Sequence, residues 1–140
     1  METLCRMTTQ LPVRQTLLLI LVPMLATFAV QRLCLHLIGV HHFQPNGLII
    51  HHLFFGVATI IPAAFVLAFG PRNRRSAILS RIALGIGSAM VLDEMVYLIA
   101  TQASDADYVS PLSLKGAAIF MFLGVALLLA LYHWCKRAEV

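Results

Sequence analysis

His51-His52 and Asp93-Glu94 are adjacent pairs of the residue types that bind metals and move protons, in a chain otherwise poor in polar groups. Arg32 and His36, one helical turn apart, form a third polar pair, and His41-His42 a fourth. Imidazole and carboxylate together make a donor set for zinc, iron or manganese. On that chemistry the candidate ligands are His51, His52 and Asp93, with His36 as a fourth. Glu94 is then a candidate general base for a metal-bound water, and Arg32 a group that orients an anionic head group or the carboxylates. Neighbouring residues on a helix point about 100° apart, so one histidine of each pair would ligate a given ion. The spacings match no established signature: there is no HExxH, no HxxHH and no ExxH pair of the di-iron kind.

The same residues support other chemistry. Arg32 could pair with Asp93 or Glu94 and leave the histidines neutral, which makes the cluster a buried structural network. Asp, Glu and His within membrane spans also mark proton or ion paths. The cytoplasmic half of each span is apolar except for Arg81, which speaks against a continuous path. A haem held between His36 and His52 would leave the carboxylates unexplained. His41, His42 and His133 read individually as histidines near helix ends.

The elements that must position these groups follow from composition. Of 140 residues, 60% are hydrophobic and 11% charged, where soluble domains carry about 25% charged residues. Mean hydropathy is +0.88. This excludes a soluble globular enzyme, a disordered chain and a disulfide scaffold, and predicts an all-α polytopic membrane protein: a four-transmembrane-helix bundle in one domain. A span needs about 20 apolar residues, and the predicted spans cover residues 16–40, 47–69, 77–101 and 111–133. Pro45-Asn46-Gly47 reads as a turn with Asn46 as N-cap, Ser76 as the cap of the third helix, and Ser110-Pro111 as the start of the fourth. The first apolar run continues well past Ala29 without a small-x-small cleavage site, so it reads as a span and not as a signal peptide. Cys5, Cys34 and Cys135, odd in number and scattered, are expected as free thiols.

Arg6, Arg14, Arg72, Arg74, Arg75, Arg81, Lys136 and Arg137 fall on one side of this arrangement, with Lys115 near Asp105 and Asp107 on the other. The positive-inside rule then puts both termini in the cytoplasm, and it accounts for the net charge of +4 without nucleic acid as a partner. At about 1.5 Å per residue, Arg32, His36, His51, His52, Asp93 and Glu94 lie within roughly one turn of the same depth, in the outer leaflet half. Gly85, Ala89, Asp93 and Tyr97 form a column at spacing four whose small members allow a close helix approach. Glu94 points elsewhere, to a second neighbouring helix or a dimer partner.

The leading expectation is a metal-binding protein of a bacterial inner membrane, forming a homodimer or larger complex in the lipid bilayer. Its activity would be a metal-dependent reaction on a lipid or lipophilic substrate. The alternative is a non-catalytic accessory subunit with the cluster as a structural network, and the third reading is ion or proton translocation. An Arg32 pair that closes the pocket would mark the second.

Overall fold

The computed structural model describes residues 11–39, 50–71, 73–102 and 104–138. These form helices α1 (Val13–Ile38), α2 (His52–Phe69), α3 (Arg74–Ala100), the short α4 (Asp105–Tyr108) and α5 (Pro111–Arg137). Four of them, α1, α2, α3 and α5, are long and apolar enough to cross a membrane.

Helix starts follow local chemistry. Ser110 Oγ accepts the Ser113 N–H at 3.2 Å, with Pro111 in the first turn of α5, as the Ser-Pro pair predicts. α3 begins earlier than expected because Asn73, not Ser76, is its cap: Asn73 Oδ1 accepts the Ser76 N–H at 2.8 Å. The acidic connector holds a helix that the sequence reading treated as loop. Ser104 Oγ accepts the Asp107 N–H at 3.2 Å and Asp107 Oδ2 accepts the Ser104 N–H at 3.3 Å, a reciprocal capping box. α2 begins at His52 rather than Gly47. The predicted Pro45-Asn46-Gly47 turn, like His41 and His42, lies outside the described residues.

α3 is the central helix, with α2 packed on one part of its surface and α1 and α5 on others. The predicted column is buried along its length: Gly85, Ala89, Asp93 and Tyr97 are all enclosed. A side chain at Gly85 would collide with the Ile20 backbone of α1. Gly56 of α2 and Gly87 of α3 face each other so closely that a Cβ on either would lie 2.7 Å from the other's carbonyl oxygen. Small residues thus let both neighbours approach α3 at backbone distance, which is how helices associate where lipid removes the hydrophobic drive. Met24, Ala89 and Met121 are buried together, tying α1, α3 and α5. The outward faces carry Leu33, Leu37, Phe65, Phe122 and Leu127, the surface a bilayer requires. Thr59, polar within α2, donates its hydroxyl hydrogen to the Phe55 carbonyl at 2.7 Å.

Cys34 is a free, exposed thiol, as expected. Cys135 is disulfide-bonded, so the odd count did not make every cysteine a free thiol.

Candidate functional site

At the end of the bundle where α1 and α3 finish and α2 and α5 begin, five elements converge on one polar cluster. α3 supplies its anions. Asp93 and Glu94 are 0% and 2% exposed, and ionised groups at that burial persist in lipid only with partners. Being about 100° apart on α3, they turn to different neighbours: Asp93 toward α1 and α4, Glu94 toward the start of α2.

Arg32, 8% exposed on α1, donates from Nε to Asp93 Oδ1 at 2.6 Å. Its Nη2 reaches the Asp93 carbonyl at 3.2 Å and Ser113 Oγ on α5 at 3.5 Å, and its Nη1 the Tyr108 carbonyl at 3.5 Å. The guanidinium carbon lies 5.6 Å from the Tyr108 ring centroid and 6.0 Å from that of Phe28, within range for a cation–π contact. The Tyr108 hydroxyl donates to Asp93 Oδ2 at 3.1 Å and lies 3.0 Å from His52 Nε2. Burial pushes the Tyr108 phenol well above the usual tyrosine range, and the Asp93 and Glu94 carboxylates push it the same way.

Glu94 holds the start of α2. His51, the N-cap residue there, makes no side-chain capping bond. Glu94 Oε2 instead accepts the Leu53 N–H at 2.7 Å. A carboxylate from α3 thereby fills the role a local Ser or Asp plays in other helices, satisfying a first-turn N–H at the positive end of the helix dipole. Glu94 Oε1 lies 3.3 Å from His51 Nδ1 and 3.2 Å from His52 Nδ1. His52 Nε2 lies 3.3 Å from Asp93 Oδ2. The rings of Tyr97 and Tyr108 close the cluster with centroids 4.6 Å apart. The two histidines are its most open members, with side chains 18% and 23% exposed.

The structure therefore brings together Arg32, His51, His52, Asp93 and Glu94, and leaves His36 out. His36 is exposed on α1, and none of the cluster's hydrogen bonds or ion pairs includes it. Equal depth in the membrane fixes a residue's level and not its direction. His133, near the C-terminal end of α5, lies edge-on to Tyr132 at 5.2 Å. Tyr108 and Ser113 were missed by sequence reasoning because both belong to the connector and the first turn after it. The available signal was the Asp-Ala-Asp-Tyr run, an aromatic placed behind a capping box.

Among the described residues no group of three or more His, Cys, Asp or Glu is arranged to hold an ion. Each Asp93 and Glu94 oxygen has a protein partner. Among the described residues the sole buried side-chain polar atom without a hydrogen-bond partner is Gln31 Oε1, which is none of these groups.

Comparison with known protein families, with curated proteins and with solved structures finds no match for the chain.

Proposed function

We propose that this is a non-catalytic multi-pass membrane protein, an accessory subunit of a larger membrane assembly, in which the polar cluster is a structural clasp. One observation carries the reading. All four oxygens of the buried Asp93–Glu94 pair are taken up by the protein's own groups: Arg32 and Tyr108 at Asp93, the Leu53 N–H and His51 at Glu94, with His52 within 3.3 Å of both carboxylates. A general base needs a free oxygen within reach of the proton it abstracts, and a metal ligand needs a free lone pair. Here each carboxylate oxygen is already engaged by a protein group, so either role would compete with those contacts. What the network does offer is connection: it joins α1, α2, α3, α4 and α5 at one end, where close glycine contacts alone would leave the helices free to slide.

The test is elemental analysis of the detergent-purified protein beside a His51→Ala, His52→Ala variant. The clasp predicts no stoichiometric metal in either and a lower unfolding midpoint for the variant. Near-stoichiometric zinc, iron or manganese in the wild type, absent from the variant, would overturn it and restore the metal-dependent reaction.

The proposed orientation places both termini in the cytoplasm, supported by the arginines around the α2–α3 connection and by Lys136 and Arg137. The Cys135 disulfide favours the opposite orientation, because disulfides persist in oxidising compartments. Reporter fusions at the C-terminus separate the two: a cytoplasmic reporter active there supports the charge rule, and a periplasmic or luminal one supports the disulfide.

A further inference from the structure

The seam between α1 and α3 holds a buried arginine near each end. The two helices run side by side in the same direction, since Thr16 meets Arg81 and Ile20 meets Gly85 at one constant spacing of 65 residues. Toward the ends of both helices the seam carries Arg32, matched by Asp93. Near their starts it carries Arg81, 2% exposed, and no described residue there plays the part of Asp93. The carboxylates among the described residues are Asp93 and Glu94 in the clasp and Asp105 and Asp107 on α4, all at the opposite end. At about 1.5 Å per residue, Asp93 is about 18 Å further along α3. A buried guanidinium without a counter-charge is costly in lipid.

Arg81 is also short of acceptors. Its Nε donates to Thr16 Oγ1 at 3.2 Å and its Nη1 to the Ala77 carbonyl at 2.6 Å. A guanidinium carries five N–H donors, so the second Nη1 hydrogen and both hydrogens of Nη2 have no acceptor among the described residues. Nη2 is not sealed in. The one enclosed side-chain polar atom without a partner among those residues is Gln31 Oε1, so Nη2 opens to the protein's surface. The bond to Ala77, one turn nearer the start of α3, shows the guanidinium turned back along the helix. Arg81 lies about 10 Å into α3, and the headgroup layer takes up about 5–8 Å on each side of the hydrocarbon core. A stem that turns back lifts its charge toward that layer. The Thr16 hydroxyl accepts from Nε and keeps its own hydrogen to donate. Arg14, Arg74 and Arg75, exposed in the first turns of the same two helices, add positive potential around the opening.

We infer that Arg81 and Thr16 form a site for the phosphate group of an anionic membrane lipid, held at the mouth of the α1–α3 seam. A guanidinium grips phosphate oxygens in pairs, and Arg81 has unused hydrogens on both amino groups. The bound headgroup supplies to Arg81 the counter-charge that Asp93 supplies to Arg32. The occupant is a lipid rather than free phosphate because exposed Leu18 and Leu79, in the same turns as Thr16 and Arg81, offer apolar surface to acyl chains. A water-soluble anion would have to leave water to reach that depth. The site lies at the far end of the bundle from the clasp and stands independently of it.

The experiment is native mass spectrometry of the full chain with phosphatidylglycerol and phosphatidylcholine of equal acyl length, alongside unfolding midpoints in nanodiscs of the same lipids. Wild type should retain one phosphatidylglycerol about tenfold to a hundredfold better than phosphatidylcholine, the ratio that one hydrogen bond to a charged group gives. The preference should survive high salt, which screens exposed arginines more than a buried one. Phosphatidylglycerol should also raise the wild-type midpoint. Arg81→Gln should lose both effects, and Arg74→Gln with Arg75→Gln should keep both. A wild type without the preference overturns the inference, whether or not a variant folds. A preference kept in Arg81→Gln and lost in the Arg74, Arg75 pair also overturns it, because surface charge then accounts for the binding. An equal rise in midpoint from inorganic phosphate in phosphatidylcholine nanodiscs overturns the lipid assignment. Glu2 and Glu139 lie outside the described residues. A preference that appears in Glu2→Gln with Glu139→Gln but not in wild type overturns the inference as well, since the chain's own carboxylates then fill the site.

Discussion

Removing the Arg32 guanidinium should cost far more than the loss of a surface charge. Arg32→Met keeps most of the stem's apolar bulk and deletes the donor 2.6 Å from Asp93 Oδ1. Asp93 is fully enclosed, so the carboxylate cannot turn to water. Its Oδ1 then has no partner, while Oδ2 keeps Tyr108 and His52. A hydrogen bond to a charged group contributes about 1.5–3 kcal/mol. Breaking a buried pair by removing one partner costs about 3–5 kcal/mol, because a charge is left uncompensated. The 3.5 Å contacts to Ser113 and the Tyr108 carbonyl add little, so the lower half of that range is the expected loss. Asp93→Asn in the Arg32→Met background removes the stranded charge, so the double variant should recover about 2 kcal/mol relative to the sum of the single ones. Reversible unfolding in mixed micelles, followed by circular dichroism, measures the four states of the cycle. A single-variant loss below about 1 kcal/mol, the scale of an exposed ion pair, or strict additivity, would refute the reasoning.

Other consequences are as specific. Glu94→Gln should retain much of the α2 cap, because an amide oxygen still accepts the Leu53 N–H, whereas Glu94→Ala should cost about 1–2 kcal/mol and speed amide exchange at Leu53. Gly87→Ala places a methyl 2.7 Å from the Gly56 carbonyl oxygen and should destabilise by about 1–3 kcal/mol through overpacking, while Gly39→Ser, with open space around it, gives no such clash and is limited by its positive φ. Tyr108→Phe should cost about 1–3 kcal/mol by leaving Asp93 Oδ2 short of a donor. Because burial and the carboxylates raise the Tyr108 phenol, it should stay protonated at about pH 10, where an ordinary tyrosine is half ionised. Its contribution to stability is then complete below that pH and declines only above it, as ultraviolet titration of wild type against Tyr108→Phe would show.

The architecture was legible because lipid imposes it. Four apolar runs of spanning length, and the Gly85–Tyr97 column that turned out buried, needed only periodicity and composition. The Arg32–Asp93 pair was legible as one of several alternatives, since the sequence shows which ions share a depth but not which of them touch. Two things were hidden. The start of α2 was misplaced because its cap is not local: Glu94 reaches it from α3, so no Ser, Thr, Asp or Asn at position 51 announces it. Tyr108 was hidden because it lies outside every span, and only the fold of α4 swings its hydroxyl under Asp93. Reading His36 with Arg32 failed for a related reason. A long guanidinium reaches the cluster from α1, whereas an imidazole one turn later lies exposed.

The central claim is that the buried carboxylates are satisfied by the protein itself. The most direct measurement is a solid-state magnetic-resonance distance between an isotope-labelled Arg32 guanidinium and the labelled Asp93 carboxyl, in lipid bilayers with and without added zinc. The clasp predicts direct hydrogen-bond contact in both samples. A pair that stands apart, or that parts when zinc is added, would contradict it.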